Sequence, residues 1–359
     1  MDHWNQFAAE DPFNGNFVEG EICRESNDMY GALKILRVNG EEAPQLIYCT
    51  PKIGYPFDRA GNWHFPRARA IERYTKLDGT NVFAYRYSDA QGKTYLSYKT
   101  RLLPFLRQSR FGPFLDLWRE ILQAQPVLAE LPGQVDMNLS YEMWGARNPH
   151  LLRYPTPLTA SLLFARQGRE ILPPSQVPGG LEIAAPLKGV VAAEYVSAYT
   201  AARETMNQAL RETEDGYVGE EGEVWYLLDE TGRWTMLKCK PELIEAVHWA
   251  ASGINKNAII ATCWNALENW DNPTVDQVKS LLLEEYALSE VEKVHLAIMK
   301  HLEGVRLQQE FRAEVIEVYR EMGMNILIDK VAVMRALSQR FDRSLIRRVY
   351  TIIMDSEAK

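Results

Sequence analysis

The sequence predicts an α+β protein with two domains: an antiparallel-sheet domain over residues 1–241 and an all-helical domain over residues 242–359. The first part contains pairs of short alternating apolar runs that are separated by turn-forming residues. The second part contains only runs in which apolar residues recur at helical intervals. This change falls near Pro241, and 359 residues are enough for two domains of ordinary size.

Three pairs of runs predict β-hairpins in the first part. "ALKILRV" and "QLIYC" flank "NGEEAP", "NVFAYRY" and "TYLSYKT" flank "SDAQGK", and "EVWYLLD" and "WTMLKCK" flank "ETGR". The linkers contain the Gly, Asn and Asp residues that favour turns. Helical spacing in "FLDLWREILQ" and "EYVSAYTAARETMNQAL" adds two helices, so the domain is predicted to be α+β.

Four segments of the second part have helical spacing: "TVDQVKSLLLEEYA", "SEVEKVHLAIMKHLEG", "QQEFRAEVIEVYREMG" and "DKVAVMRALSQRF". Gly304 and Gly323 lie where helices are expected to end. The segment "MRALSQRFDRSLIRRVY" carries a cluster of arginines: Arg335, Arg340, Arg343, Arg347 and Arg348. This cluster predicts either an RNA-binding face or the solvated side of an amphipathic helix.

The composition is globular, with 46% hydrophobic residues, 25% charged residues and a net charge of -8. An acidic chain binds nucleic acid poorly unless it carries a local basic surface. The four cysteines form no Cys-x-x-Cys pair, so we expect neither a disulfide framework nor a structural zinc site. We expect no signal peptide and no membrane span, and a cytoplasmic protein is the default expectation.

Three short motifs carry residues suited to chemistry. They are Lys76-Leu77-Asp78-Gly79, Asp215-Gly216-Tyr217-Val218 with Glu214 before it, and Lys238-Cys239-Lys240. The first opens one predicted hairpin, the second precedes another, and the third lies on the return strand of that hairpin. Period-two geometry places Lys238 and Lys240 on one face of their strand. Two ammonium groups on the same face repel each other unless an anion such as a phosphate lies between them. The alternative interpretation is that both lysines lie on a solvent-exposed face.

Together these motifs resemble the covalent nucleotidyltransferase superfamily, which includes ATP-dependent RNA and DNA ligases and mRNA capping enzymes. The resemblance implies that Lys76 attacks the α-phosphate of a nucleotide. It also implies that Thr75, Gly79 and Asn81 lie against that nucleotide, while Asp78 shapes the turn that presents the lysine.

The segments between the motifs add nucleotide contacts by the same resemblance. "LSYEMWG" is similar to the strand whose glutamate binds the ribose, which implies that role for Glu142. "SLLFARQ" is similar to the element whose aromatic ring stacks on the base, which implies Phe164. "LSYKTR" is similar to the segment that contributes a cation, which is either Lys99 or Arg101.

Upstream of the first motif, "FPRARAIERY" carries Arg67, Arg69 and Arg73. A guanidinium has the planar fork that suits phosphate oxygens, so one of these arginines, with Arg73 nearest the motif, is a candidate clamp for the β- and γ-phosphates. An exposed basic strand explains each arginine equally well.

The middle motif departs from the superfamily pattern, which is Glu-Gly-x-Val. Asp215 stands before the glycine here and Glu214 lies one residue earlier, so either is the candidate metal carboxylate. Mg²⁺, or Mn²⁺ in its place, takes oxygen ligands. With Lys238 and Lys240, the ion would neutralise the α-phosphate and lower the pKa of Lys76 from its ordinary value of about 10.4.

The helical second domain favours an RNA ligase of the bacteriophage type. The DNA ligases and capping enzymes of the superfamily usually continue into an OB barrel, which is a five-stranded fold. The implied reaction uses ATP and RNA with 5′-phosphate and 3′-hydroxyl ends, and it passes through a lysyl-AMP and an adenylylated RNA end. The alternatives are a DNA ligase, a capping-type guanylyltransferase, a non-catalytic RNA-binding relative and, if the resemblance is accidental, an α+β scaffold protein.

Overall fold

The computed structural model describes residues 4–357, apart from 26, 58–61, 110–111, 151, 178–194, 214–215, 242–253, 255, 271, 284–285 and 287. The chain divides into two compact units, Met1–Val247 and His248–Lys359. The division falls a few residues after Pro241, among residues that are not described. The predicted α+β class is confirmed, because unit 1 contains antiparallel sheets and the described elements of unit 2 are helices.

The first sheet of unit 1 is an antiparallel meander of four neighbouring strands: β1 (Trp4–Glu10), β2 (Phe17–Cys23), β3 (Leu33–Val38) and β4 (Glu41–Ile47). The predicted hairpin at "NGEEAP" is therefore confirmed as β3–β4. The sequence analysis did not predict β1 and β2. The segment "WNQFAAE" of β1 contains none of the β-branched residues that favour strands, and Gly20, a residue that strands disfavour, interrupts β2.

The second sheet has five strands in the spatial order β10 (Glu170–Leu172), β9 (Thr159–Gln167), β8 (Asn138–Trp144), β6 (Thr80–Ser88) and β7 (Thr94–Lys99). Along β6 the side chains alternate between two cores. Val82 and Ala84 pack with helices α1 (Phe114–Ala124) and α2 (Val127–Val135). Phe83 and Tyr85 lie in the other core. Asn81, two residues after the Lys-x-Asp-Gly motif, lies on the same face of β6 as Phe83. This face therefore includes one of the residues predicted to contact a nucleotide.

The third sheet has the order β14 (Trp234–Cys239), β13 (Glu223–Leu228) and β5 (Ala70–Thr75). Tyr74 and Tyr226 from this sheet join the core that contains Phe83. Helix α3 (Tyr195–Ala209) packs on the opposite side, where Tyr199 contacts Trp225. Because β5 belongs to the third sheet and β6 to the second, the chain crosses between two sheets at the turn that contains Lys76.

A short hairpin, β11 (Arg211–Thr213) with β12 (Gly216–Val218), flanks Glu214 and Asp215. These two candidate carboxylates themselves lie outside the described residues. At β12 of this hairpin, the carbonyl of Tyr217 accepts a hydrogen bond of 2.8 Å from the backbone N–H of Arg153. The hairpin is thus joined to the loop that follows β8.

The described helices of unit 2 are α4 (Lys256–Asn269), α5 (Val275–Leu282), α6 (Leu288–Lys293), α7 (His295–Glu321), α8 (Lys330–Leu337) and α9 (Ile346–Glu357). Gly323 follows the end of α7 with a φ of 60°, as expected for a helix stop. The prediction that a helix ends at Gly304 is wrong, because α7 continues through it. An interior glycine costs about 1 kcal/mol, and burial of Leu302 and Val305 beside it offsets that cost.

None of the described helices combines the length and the apolar character that a membrane crossing requires.

Candidate active site

Lys76 lies at the point where the second and third sheets meet. Its backbone N–H donates to the carbonyl of Gly222 at 2.7 Å, so the register of β5 against β13 fixes its position. Its ammonium donates to Oε2 of Glu221 at 2.5 Å, and Nζ of Lys240 lies 3.0 Å from Oε1 of the same carboxylate. One buried carboxylate, 5% exposed, therefore bridges two lysines from different parts of the chain.

Glu221 is a site residue that the sequence analysis missed. Glu221-Gly222-Glu223-Val224 matches the Glu-Gly-x-Val pattern that had been assigned to residues 215–218. Gly222 has a φ of 153°, and a Cβ on it would lie 2.2 Å from the carbonyl oxygen of Cys239. Only glycine therefore allows β13 to begin so close to β14, and this approach brings Glu221 to Lys240.

The charges of this cluster stabilise one another. Burial alone would raise the pKa of Glu221, but the ammonium groups of Lys76 and Lys240 outweigh it and lower the pKa to about 2. Desolvation alone would lower the pKa of Lys76, but Glu221, with Glu142 beside it, raises that pKa above its ordinary value. In this arrangement Lys76 is an ammonium, which has no lone pair for an attack on phosphorus.

Asp78 is hydrogen-bonded on both sides of the turn that contains Lys76. Its backbone N–H donates to the phenol oxygen of Tyr154 at 2.9 Å, and its Oδ2 accepts from the backbone N–H of Leu152 at 2.6 Å. Gly79 is required by close packing, because a Cβ there would lie 2.3 Å from the carbonyl oxygen of Met143. The turn is therefore held between β8 and the loop that follows β8.

That loop also holds the first residue of β6, on the other side of the turn. Nδ2 of Asn148 donates to Oγ1 of Thr80 at 3.1 Å, and Nε2 of His150 lies 3.2 Å from the same oxygen. With Tyr154, these side chains fix both ends of the Lys-x-Asp-Gly turn. The sequence gives no signal for them, because polar residues in a loop are ordinary.

Asn81 lies opposite Glu142 in the β6–β8 pair. Its Oδ1 accepts from Oγ1 of Thr50 at 2.8 Å, and its Nδ2 donates to Oγ of Ser140 at 2.9 Å and to the carbonyl of Tyr141 at 3.0 Å. These contacts satisfy both amide N–H groups within the protein. Asn81 braces the floor of the site, and its predicted contact with a nucleotide is not supported.

Glu142 lies beside the charged cluster. Burial raises its pKa to about 8, the charges of Glu221 and Asp78 add to that effect, and Lys76 and Arg101 oppose it. At neutral pH this carboxyl therefore keeps its proton and is able to donate a hydrogen bond. The positive charge of Arg101 acts on Glu142 in the same direction as that of Lys76.

Of the two candidate cations in "LSYKTR", only Arg101 is supported. Lys99 is fully buried, and its ammonium contacts the carbonyls of Gly31 at 2.9 Å, Thr100 at 3.0 Å and Arg101 at 2.9 Å. Sγ of Cys49 lies 3.2 Å away. An ammonium has three N–H donors, so these acceptors leave none for a nucleotide.

Two further predictions are not supported. Phe164 is 1% exposed and lies in the core with Phe83 and Tyr226, so neither face of its ring is open to a base. The Nε and Nη2 atoms of Arg73 donate to the carboxylate of Glu223 at 3.0 and 2.8 Å. Arg73 thus braces β5 against β13. Thr75, the last residue of β5, pairs with Glu223 in the same ladder.

Lys238 and Lys240 are 7% and 4% exposed, which contradicts the solvated-face alternative. Nζ of Lys238 lies 4.4 Å from the ring centre of Tyr55. The hydroxyl of Tyr199 donates to the carbonyl of Lys238 at 2.9 Å. The segment around Tyr55 and helix α3 therefore hold the end of β14, where the two lysines lie next to the turn that contains Lys76.

No family model matches the chain, and no curated protein matches it. Among solved structures, an archaeal ATP-dependent RNA ligase is similar over 84% of this chain and 76% of its own, with 17% identity and a TM-score of 0.47. A candidate ATP-dependent DNA ligase from Aquifex aeolicus is similar over 95% and 85%, with 14% identity and a TM-score of 0.41. A Naegleria gruberi RNA ligase with PPi is similar over 51% and 52%, with 17% identity and a TM-score of 0.35.

These structures come from the ATP-dependent ligases that the motifs resemble. At TM-scores below 0.5 the similarity is loose. What the chain is able to do chemically is therefore inferred below from its own site residues.

Proposed function

We propose that this protein is an ATP-dependent RNA ligase in which Lys76 becomes covalently adenylylated. The observation that carries the proposal is the cluster in which the buried carboxylate of Glu221 bridges Lys76, whose side chain is 25% exposed, and the buried Lys240. The cluster is located where two sheets meet and is bordered by the neutral carboxyl of Glu142. The resemblance of the motifs to RNA ligases supports the choice of reaction.

Glu221 is the carboxylate best suited to a divalent ion. With a pKa of about 2 it is ionised at every physiological pH, and it lies next to the nucleophile. Among the described residues there is no group of three or more His, Cys, Asp or Glu side chains placed to hold a metal. The single carboxylate of Glu221 suits Mg²⁺, or Mn²⁺ in its place, because Mg²⁺ binds through one or two carboxylates together with waters and substrate phosphates.

When bound, the ion supplies positive charge that weakens the hold of Glu221 on Lys76 and neutralises phosphate oxygens. Lys76 attacks as the free amine: its ammonium releases one proton to solvent, and Nζ then attacks the α-phosphorus of ATP. The N–P bond forms while the bond from the α-phosphorus to the pyrophosphate oxygen breaks. Lys240 stays at the site and stabilises negative charge on the α-phosphate, because its ammonium is held within 3.0 Å of Glu221.

Glu142 contributes a different contact. Since its carboxyl is protonated at neutral pH, it donates a hydrogen bond to a nucleotide hydroxyl such as that of the ribose. The AMP then passes from Lys76 to the 5′-phosphate of an RNA end, and the 3′-hydroxyl of a second end displaces AMP. Unit 2, with its arginine cluster, selects the RNA.

The proposal is tested by intact-mass measurement after treatment with pyrophosphate and then with ATP and Mg²⁺. The wild-type protein should gain the mass of one AMP, and Lys76→Ala should gain none. Lys34→Ala is the matched control, because Lys34 is an exposed lysine that pairs with Glu21 on the first sheet. An adduct that persists in Lys76→Ala contradicts the proposal. Labelling by GTP and not by ATP would identify a capping-type enzyme.

The acceptor is tested separately, by offering the adenylylated protein nicked or broken RNA and the same substrates as DNA. We expect sealing of RNA with 5′-phosphate and 3′-hydroxyl ends. Sealing of DNA alone would replace the RNA ligase assignment with a DNA ligase.

A further inference from the structure

An aromatic strip, defined as Tyr55, Phe57 and Trp63, leads away from the candidate active site. Phe57 and Trp63 are joined by an antiparallel bridge, and the backbone N–H of His64 donates to the carbonyl of Pro56 at 2.6 Å. This segment lies along the free side of β14, where Gly54 pairs with Leu237. Backbone pairing therefore fixes the strip beside the strand that carries Lys238.

The rings of the strip form one continuous series of contacts that begins at Lys238. The ammonium of Lys238 lies 4.4 Å from the ring centre of Tyr55. The ring of Tyr55 is stacked on Phe57 at 5.2 Å, and Phe57 meets Trp63 edge to face at 5.3 Å. Trp63 is 38% exposed, so the series runs from a buried lysine of the site to the protein surface.

Contacts with two other aromatic rings hold Trp63 in place. Its ring is parallel to that of Phe65, with centres 5.7 Å apart and an angle of 6° between the planes. Tyr199 of helix α3 meets it edge to face at 5.5 Å. An exposed indole that is already fixed loses little conformational entropy when a ligand packs on it, because few rotamers remain to be frozen.

One guanidinium contacts the strip, and two more arginines follow it in the chain. Arg67 and Arg69 are both exposed and follow Trp63 closely in the chain. The guanidinium of Arg203 lies 5.7 Å from the ring centre of Phe57, and its Nε donates to the carbonyl of Lys240 at 3.0 Å. Because the chain has a net charge of -8, an aromatic strip with a guanidinium against one of its rings and two exposed arginines next in the sequence is a local exception. Proteins bind single-stranded nucleic acid by combining aromatic rings, on which bases stack, with cations that contact the phosphates.

We propose that the aromatic strip binds unpaired nucleotides of the RNA strand next to the end that is sealed, with a base stacked on Trp63 and phosphates at Arg67 and Arg69. This inference rests on the proposed ligase function and names its substrate as an RNA end that is single-stranded near the junction. A base inside a duplex has both faces covered by its neighbours, so it cannot stack on Trp63. Unpaired bases are the ones that stack on aromatic side chains.

The test is the binding of a 5′-phosphorylated single-stranded RNA, compared with a nicked RNA duplex of the same sequence, over a range of salt concentrations. Trp63→Leu keeps an apolar group against Phe65 but removes the stacking surface. We expect it to weaken single-strand binding about tenfold, the loss of one stacked base, and to leave the salt dependence unchanged. Arg67→Gln with Arg69→Gln should lower the salt slope by about 1.4, since each single-strand phosphate contact contributes about 0.7.

Phe17→Leu is the matched control, because Phe17 is an exposed aromatic residue, 47% exposed, on the first sheet. It should bind both RNAs like the wild type. Lysyl-AMP formation, measured without RNA, reports separately on the site at Lys76. A failure of that step in the wild-type protein counts against the proposed function and not against the strip.

The inference is overturned if Trp63→Leu binds the single strand as tightly as the wild type does. It is also overturned if the variant loses nicked-duplex binding to the same extent, which would indicate a double-stranded partner. Photocrosslinking of the wild-type protein to an RNA that carries 5-iodouridine gives a test independent of folding. We expect a crosslinked peptide that contains Trp63, and crosslinks found only elsewhere on the protein contradict the inference.

Discussion

Unit 1 and unit 2 use their cations in different ways. In unit 1, Lys238 and Lys240 are almost completely buried, and Lys76 and Lys240 share the carboxylate of Glu221. In unit 2, the arginines of the cluster are all exposed: Arg335, Arg340, Arg343, Arg347 and Arg348. Buried, paired cations are fixed and suit chemistry at one phosphate. Exposed cations suit a long polyanion, which they bind by releasing its counterions.

The largest expected effect is at the buried carboxylate. Glu221→Gln should slow lysyl-AMP formation on the order of a hundredfold to a thousandfold, the loss typical of removing one group that stabilises charge in a transition state. Single-turnover labelling with ATP and Mg²⁺ measures it. Glu223→Gln is the matched control, since Glu223 is also buried but pairs with Arg73. If both variants lose the same activity, Glu221 has only a structural role.

The exposed arginines should show the opposite pattern. Replacing Arg343, Arg347 and Arg348 together by Ala should weaken RNA binding about a hundredfold near 0.1 M salt and lower the salt slope by about 2, if each residue meets one phosphate of a single strand. Filter binding over a salt series measures both quantities. If adenylylation is lost while RNA affinity is kept, the proposed division of roles between the units is wrong.

A smaller effect is expected from the loop that holds the turn. Tyr154→Phe removes the oxygen that accepts from the N–H of Asp78 and keeps the ring on Trp144. We expect lysyl-AMP formation to slow about tenfold with little change in the KM for ATP, because an unmet buried donor costs roughly 1–3 kcal/mol. Tyr195→Phe, which removes a phenol bound to the carbonyl of Ala68, is the control. Equal losses in both variants would exclude a specific role for Tyr154.

A further effect is on stability rather than on activity, and it depends on pH. Glu142 ionises near 4.5 in an unfolded chain, but burial raises its pKa to about 8 in the folded protein. Between these values the unfolded chain releases a proton that the folded protein keeps, so stability falls as pH rises through this window. Glu142→Gln has no proton to lose. Its free energy of unfolding relative to wild type should therefore increase from pH 5 to pH 8, by roughly 3–4 kcal/mol, because each unit of pKa difference is worth about 1.4 kcal/mol. Urea unfolding at both pH values measures this, and a constant difference contradicts it.

Much of the fold was predictable because local patterns determine it. The hairpins β3–β4, β6–β7 and β13–β14 each follow from alternation on both sides of a turn. The two helices that the sequence predicts in unit 1 follow from spacing, as does the end of α7 at Gly323. The prediction that a helix ends at Gly304 was wrong because a glycine alone does not end a helix. Leu302 and Val305 on either side of it are buried, and their packing keeps this part of the chain helical.

The site was predictable where its residues are adjacent in the chain. Lys76 and Asp78 belong to one turn, and Lys238 and Lys240 to one strand end. Glu221 has a signal, the Glu-Gly-x-Val pattern itself, but Asp215-Gly216-Tyr217-Val218 is a similar pattern a few residues earlier. Tyr154 and Tyr55 had no signal, since each acts through a contact with a distant part of the chain. Phe164 and Lys99 are buried in the structure and therefore do not contact a nucleotide. Their burial depends on tertiary packing, which the sequence pattern does not reveal.

The most direct test of the account is to locate the AMP. Protein labelled with ATP and Mg²⁺ should be digested under conditions that preserve the acid-labile phosphoramidate and then fragmented by mass spectrometry. The account predicts AMP on Nζ of Lys76, the lysine whose ammonium contacts Glu221 at 2.5 Å. AMP on Lys238 or Lys240, or no adduct on any lysine of the wild-type protein, would contradict it.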